Sequence, residues 1–364
     1  MAKPLVLDLH IPYCIRPENY LPHFYAVGSN AEKNAYMEAL RREVLSYEGE
    51  LEDYEIRAVH LSGGSASVMA PDLLGEVLRT VRQHLPVAQG AEFSYDAQPL
   101  TIGTPSLTGI ASGHPNRVEL MMRAGSDAEL QALGCAHTVQ NIRNAMLFFA
   151  KFHLNNVGLT LNYGIPGQTE QSWHNSLHAA VIMQPGHITA APLTVTDAEG
   201  MPGQEARRAM FLHASDYLTE NGYRMYAAGY FARPGYEYRA RAMEWNGDAI
   251  IGMGVNGGSV YDGYAVRNTN NLKLYLRNAG DFEKLTAQAV QLDENARMLR
   301  YLRGRMQLAD GVTEKLFANR FGREVPAEFS TLLDKAVESG SALRTADGWK
   351  PTPEGWFRGN ILGA

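Results

Sequence analysis

Residues 5–14 read Leu-Val-Leu-Asp-Leu-His-Ile-Pro-Tyr-Cys, an apolar strand that runs into a turn and delivers one thiol, Cys14. Outward from it, short apolar runs at 57–62, 91–96, 117–122, 157–162 and 187–193 alternate with longer patterns at 31–48, 71–84, 138–153 and 169–183. The longer patterns carry apolar residues at helical spacing. Strand followed by helix, repeated six times, predicts an α/β fold: a parallel sheet with helices outside, open or curled into a partial (β/α)6 barrel. Such sheets bind ligands at the C-terminal ends of their strands. The positions that matter are therefore Cys14, Gly63–Ser65, Asp96, Arg123 and Asn162–Gly164.

At 364 residues the chain can bury a barrel-sized core and add a smaller unit. Residues 1–222 are expected to form the barrel. A Gly- and aromatic-rich stretch follows over 223–283, with Gly252-x-Gly254 and Gly257-Gly258. Residues 284–364 have helical periodicity and end in a terminal wing. A net charge of −6 gives no electrostatic footprint for nucleic acid or an anionic membrane. No apolar run reaches the length of a bilayer span. The opening Met-Ala-Lys-Pro enters a strand without a secretory signal, and two lone cysteines make no disulfide framework, so a cytoplasmic location is expected.

Further segments carry a family resemblance. They are Ser62-Gly-Gly-Ser-Ala-Ser67, Asn116-Arg117, Leu133-Gly-Cys-Ala-His137, Tyr163-Gly-Ile-Pro-Gly-Gln-Thr169, Pro185-Gly-His-Ile188 and the stretch from Trp245 to Asn268. With His10–Cys14 they resemble, in order and spacing, oxygen-independent coproporphyrinogen III oxidase, its heme-chaperone relatives and the class C radical S-adenosylmethionine (SAM) methylases. The resemblance implies a partial (β/α)6 TIM-like barrel with a C-terminal helical, winged-helix-like accessory domain. It also implies a Cys-x3-Cys-x2-Cys loop for a [4Fe–4S] cluster. Here the second and third cysteine positions are Glu18 and Leu21, and the only other cysteine is Cys135. Such clusters are held by cysteine thiolates, so neither a cluster nor another metal site is expected.

By the same resemblance, Gly63, Gly64 and Ser65 would meet the methionyl amino group of SAM, and Tyr20 would sit beside the adenine. Asp96 stands for the family's glutamate, Cys135 for an arginine that pairs with the SAM carboxylate, and Arg123 for a glutamine that contacts the ribose. Thr160 replaces a ribose-binding aspartate, Glu119 replaces a serine, and Asn162 joins the SAM contacts at the fifth strand's end. Without iron the methionyl carboxylate needs another cation. Arg123 and Arg16 are the candidates, because the guanidinium fork suits a carboxylate.

These residues predict a SAM-binding enzyme without a cluster that uses the sulfonium in polar chemistry, methyl transfer to a small natural-product-like substrate being its commonest outcome. Asp96, Glu119 and His10 would share the barrel mouth and serve acid–base catalysis, unless Glu119 points outward on its strand. One alternative is an acid–base cyclase or isomerase that does not use SAM. Another is a non-catalytic tetrapyrrole-binding chaperone or pseudoenzyme, with Cys14, His10 or His23 as axial ligand. His174 and His178 lie four apart, but no Glu accompanies them in a metalloprotease-like pattern, and they read as a solvent-facing pair. Cys14, Glu18 and His23 form only a weak mixed-ligand set. Trp173 and Trp245 are expected in the core. Neither the substrate nor the oligomeric state is legible.

Overall fold

A computed structural model describes residues 2–20, 26–195 and 198–363. Leu21 and His23 lie outside the described residues. Six parallel strands form the heart of the fold: β1 (Lys3–Ile11), β2 (Tyr54–Gly63), β3 (Val87–Ala97), β4 (Arg117–Arg123), β5 (Val157–Tyr163) and β6 (His187–Pro192). Each strand predicted from an apolar run is present; the first five are extended by one to five residues and β6 ends one residue early. The intervening helices are α1 (Asn30–Ser46), α2 (Pro71–His84), α3 (Thr104–Ile110), α4 (Asp127–Ala132), α5 (Val139–Lys151), α6 (Glu170–Ile182) and α7 (Gln204–Glu220). Capping boxes start several of them, with Ser29 and Glu32 reciprocally bonded before α1 and Thr138 and Asn141 before α5.

The sheet continues at both edges, in the order β12-β11-β10-β9-β1-β2-β3-β4-β5-β6-β8-β7. One edge is the antiparallel pair β7 (Arg224–Ala227) and β8 (Tyr230–Ala232). After α8 (Arg239–Trp245), β9 (Ala249–Met253) lies parallel to β1. The antiparallel β10 (Gly258–Tyr261), β11 (Tyr264–Asn268) and β12 (Thr286–Gln291) complete the other edge, with α9 (Leu272–Asn278) and α10 (Phe282–Leu285) between the last two. The result is a partial barrel of the expected α/β class. Strand β12 extends the sheet past residue 284, where the sequence reading started the C-terminal unit.

Period-two alternation sorts the strand residues onto two faces. Leu5, Leu7, Leu9 and Ile11 of β1, Val59 and Leu61 of β2, and Leu159 and Leu161 of β5 are buried in the main core with the helices. The alternate residues point into the barrel and are polar: Asp8 and His10, His60 and Ser62, Ser94 and Asp96, Arg117 and Glu119. Register makes them neighbours, with Asp8 opposite His60, His60 opposite Ser94, Ser94 opposite Arg117 and Asp96 opposite Glu119. A polar lumen inside an apolar ring is the consequence.

The β9–β11 extension is fastened to the barrel by one buried carboxylate. Glu43 of α1 is 1% exposed and accepts from Tyr275 Oη (2.7 Å), the Gly254 N–H (2.8 Å) and Asn268 Nδ2 (2.9 Å). Three donors partly offset the desolvation, and burial still holds the carboxyl above its usual range. The C-terminal unit comprises α11 (Glu294–Arg305), α12 (Glu314–Phe321), α13 (Ala327–Glu338) and α14 (Pro353–Arg358). A small antiparallel sheet of β13 (Val312–Thr313), β15 (Gly348–Pro351) and β14 (Ala342–Arg344) packs with them, and the unit has its own core around Leu302, Phe317, Leu333 and Trp349.

Candidate functional site

The loop after β1 folds over the strand ends, and its charged residues meet residues far away in sequence. Glu18 pairs with Arg123 at the end of β4, Oε2 to Nη2 at 2.9 Å, with both side chains about nine-tenths buried. The β4 register shifts between Leu120 and Arg123, and Arg123 takes a left-handed backbone (φ 65°) that turns its guanidinium toward the loop. Cys135 Sγ lies 3.8 Å from Glu18 Oε1. Arg16 reaches the Cys135 carbonyl, and Asn19 donates to the carbonyls of Leu133 (N–H, 2.7 Å) and Ala132 (Nδ2, 3.2 Å). Three departures from the family pattern, Glu18, Arg123 and Cys135, are thus one contact cluster.

Arg123 does not stand free for a ligand carboxylate, as the sequence suggested: an internal carboxylate already neutralises it. Its remaining polar neighbour is Asn162, Oδ1 at 3.5 Å from Nη1. Asn162 is buried and also donates to the Ala191 carbonyl (3.4 Å). Arg16 spends a donor on a backbone carbonyl. Cys14 is 3% exposed with its thiol toward the Ala26 carbonyl, and burial pushes the thiol up, which disfavours a nucleophilic thiolate. Burial, reinforced by Glu18, pushes the Cys135 thiol up to about 12.

The glycine turn after β2 has the expected strained geometry. Gly63 has φ +101°, and a Cβ there would lie 2.4 Å from the Ile11 carbonyl oxygen. The N–H groups of Gly64 and Ser65 donate to Ile11 (2.7 Å) and Tyr13 (2.9 Å). Ser65 is fully buried, its hydroxyl bonded to Ser67 Oγ (2.9 Å) and the Asp96 carbonyl (3.3 Å). The turn stitches β1, β2 and β3 together, and the Ser65 side chain does not face a ligand. Tyr20 is half-buried against the core with φ 62°. Thr160 is opposite Thr189 on the inner face, half-buried.

Of the acid–base candidates, Asp96 and His10 reach the lumen as expected. Burial, partly offset by Arg241, pushes the Asp96 carboxyl up to about 8. Its nearest cationic candidate, His60 Nε2 at 3.7 Å, is held neutral by its own burial. Burial likewise lowers His10, against the opposing pull of Asp8. Glu119 also points inward, but it is not free at the mouth: it accepts from Arg117 Nε at 2.6 Å, and both are buried. Gly158 on β5 makes the room, since a Cβ there would sit 2.2 Å from Glu119 Oε2. Glu119 is thus engaged by Arg117 rather than open at the mouth.

The sequence reading missed the network behind Glu119. Arg117 is fully buried, donates to the Tyr236 carbonyl (2.9 Å), approaches Glu92 (3.8 Å) and stacks 4.5 Å over the Tyr238 ring. His187 bonds Tyr226 Oη at 3.0 Å, and His60 bonds Ser94 Oγ at 3.0 Å. Arg117 and Glu119 two apart on one strand were the available signal, since such residues share a face. On the outer surface His178 is exposed as expected, but His174 Nδ1 lies 3.0 Å from His213 Nε2. Among the described residues no three His, Cys, Asp or Glu side chains form a metal-binding group.

A [4Fe–4S] cluster does not fit this loop. At the second ligand position stands a carboxylate already paired with a guanidinium, and the first offers a thiol that is buried and bonded to backbone.

No family model matches the chain. It is 24% identical over 365 residues to the heme chaperone HemW of Escherichia coli, spanning 97% of this chain and 95% of that one. It is 22% identical over 332 residues to HemW of Lactococcus lactis, covering 88% and 86%. The solved structure of coproporphyrinogen III oxidase, HemN, from Escherichia coli superposes with a TM-score of 0.85 at 18% identity, over 99% of this chain and 89% of that one. These relatives correct the expectation of a SAM-dependent methyltransferase, because the proteins matched from end to end are heme chaperones. The chain thus has the fold of the radical SAM enzyme HemN and is similar in sequence, over nearly its whole length, to the HemW heme chaperones.

Proposed function

We propose that this chain is a non-catalytic tetrapyrrole-binding protein of the heme-chaperone kind, working on a radical SAM barrel that has dispensed with its cluster. The observation that carries the reading is the end-to-end relation to proteins named heme chaperones. The site supports it. The Glu18–Arg123 pair occupies the loop after β1, and the Arg117–Glu119 pair engages one of the two carboxylates that a cyclase or isomerase would use. Both free cysteines are buried thiols, compatible with a reducing cytoplasm, and among the described residues no helix is long and apolar enough to cross a membrane.

The test is titration of the purified protein with hemin, followed by transfer to an apo-hemoprotein. Saturable binding of one hemin per chain and its delivery to the acceptor are expected; unsaturable binding would overturn the reading. SAM at the strand ends is a second reading, favoured by the left-handed Gly63 turn. Calorimetry with SAM decides it, since a ligand carboxylate must displace Glu18 from Arg123 before it can pair there.

A further inference from the structure

A second cavity lies outside the barrel lumen, between the C-terminal ends of β5 and β6, the start of α7 and helix α14 of the C-terminal unit. Its volume of 650 Å³ falls within the range of about 300–1,000 Å³ usual for ligand sites. Its lining includes Tyr163, Pro192, Arg207, Phe211, Trp356 and Phe357. The Tyr163 and Phe211 rings are 6.4 Å apart and those of Phe211 and Phe357 6.1 Å apart, so an aromatic wall runs from β5 to α14. The wall is held in place by Arg208 of α7, which pairs with Glu354 of α14 at 2.7 Å.

Among the polar side chains on this surface, which also include Thr194, Gln204 and Arg358, Tyr163 and Arg207 are the two without a side-chain partner that matter for a ligand. The Tyr163 ring is buried, with 2% of the residue exposed, and its hydroxyl has no protein partner among the described residues and opens onto the cavity. Arg207 donates to the Leu193 carbonyl and has no carboxylate partner among the described residues. The nearby Glu354 is committed to Arg208 and Arg358. Among the described residues no His, Cys or Met lines the cavity.

We infer that this cavity is the tetrapyrrole site, in which the aromatic wall takes the macrocycle face, Arg207 takes a peripheral carboxylate and the Tyr163 oxygen ligates ferric iron. The inference rests on the tetrapyrrole reading above and adds where and how the ligand is held. Tyrosine is an established axial ligand for heme iron, and a guanidinium matches a carboxylate better than any other side chain. Ligation forms an iron–oxygen bond and releases the phenol proton to solvent, with no change of oxidation state. Burial holds the phenol up while Arg207 opposes it. The ferric charge then favours the phenolate, as bound cations do for their ligands.

The experiment titrates the full-length protein, Tyr163→Phe and Arg207→Ala with hemin and with metal-free protoporphyrin IX. The wild type is expected to bind hemin with a high-spin ferric spectrum and a phenolate-to-iron charge-transfer band. Tyr163→Phe should abolish the band and weaken hemin by about tenfold or more while leaving protoporphyrin binding unchanged. Its fold should be unaffected, because the lost hydroxyl had no partner. Arg207→Ala should weaken both ligands. If hemin binds but the band is missing, or survives in Tyr163→Phe, this site is wrong and the chaperone reading stands. If neither ligand binds the wild type, the chaperone reading falls and takes the site with it.

Discussion

Removing either member of the Glu18–Arg123 pair leaves a charge stranded in a nearly dry loop. Arg123→Ala should destabilise the protein by about 3 kcal/mol, the scale for breaking a buried pair. The double variant Glu18→Leu/Arg123→Met should recover most of that, because apolar replacement of both partners is often close to neutral. Chemical denaturation of the three proteins checks it; additive losses would mean the two charges are independently solvated. Asp96 gives a pH signature. An unfolded aspartate titrates near 3.9, whereas burial pushes the folded carboxyl up to about 8. Between those values the folded state holds a proton that the unfolded state has released, so stability falls as pH rises through the window. Asp96→Asn should therefore raise the melting temperature relative to wild type far more at pH 8 than at pH 4.5. A difference independent of pH would place an ionised, solvated carboxylate there instead.

At the scale of elements, the neighbouring strands β4 and β5 are matched to each other. Gly158 is the gap that admits Glu119, and Gly158→Ala would drive a methyl to within 2.2 Å of Glu119 Oε2. Moving that carboxylate off Arg117 combines overpacking with a broken buried pair, so a loss of at least about 2 kcal/mol is expected. Thermal or denaturant unfolding measures it, and a neutral effect would show that the lumen has slack. Strand positions were legible because runs such as 5–10 and 157–162 are apolar on the helix-facing side whatever the lumen holds. The lumen itself was only half legible: alternation puts Asp96, Glu119 and His10 on one face, but pairing across strands decides which charges are spent. Arg117 takes Glu119, and nothing local in sequence says so.

For the whole molecule, motif order was enough to point to the fold and to the HemW relatives, while the site depended on contacts of long sequence separation. Glu18 and Arg123 are 105 positions apart, and each alone reads as a lost function; only together are they a replacement. Tyr163 was singled out as part of a motif, and its unpartnered hydroxyl became visible only once α14 had closed the cavity beside it. The methyl-transfer expectation followed from SAM's intrinsic chemistry, and it failed because a scaffold does not dictate its chemistry. The central proposal is that this barrel works without iron and sulfide. Anaerobic reconstitution with both, followed by iron counting and Mössbauer spectroscopy of the desalted protein, tests that most directly. The account expects no cluster signal and far less than one iron per chain; about four irons per chain in a cubane spectrum would contradict it.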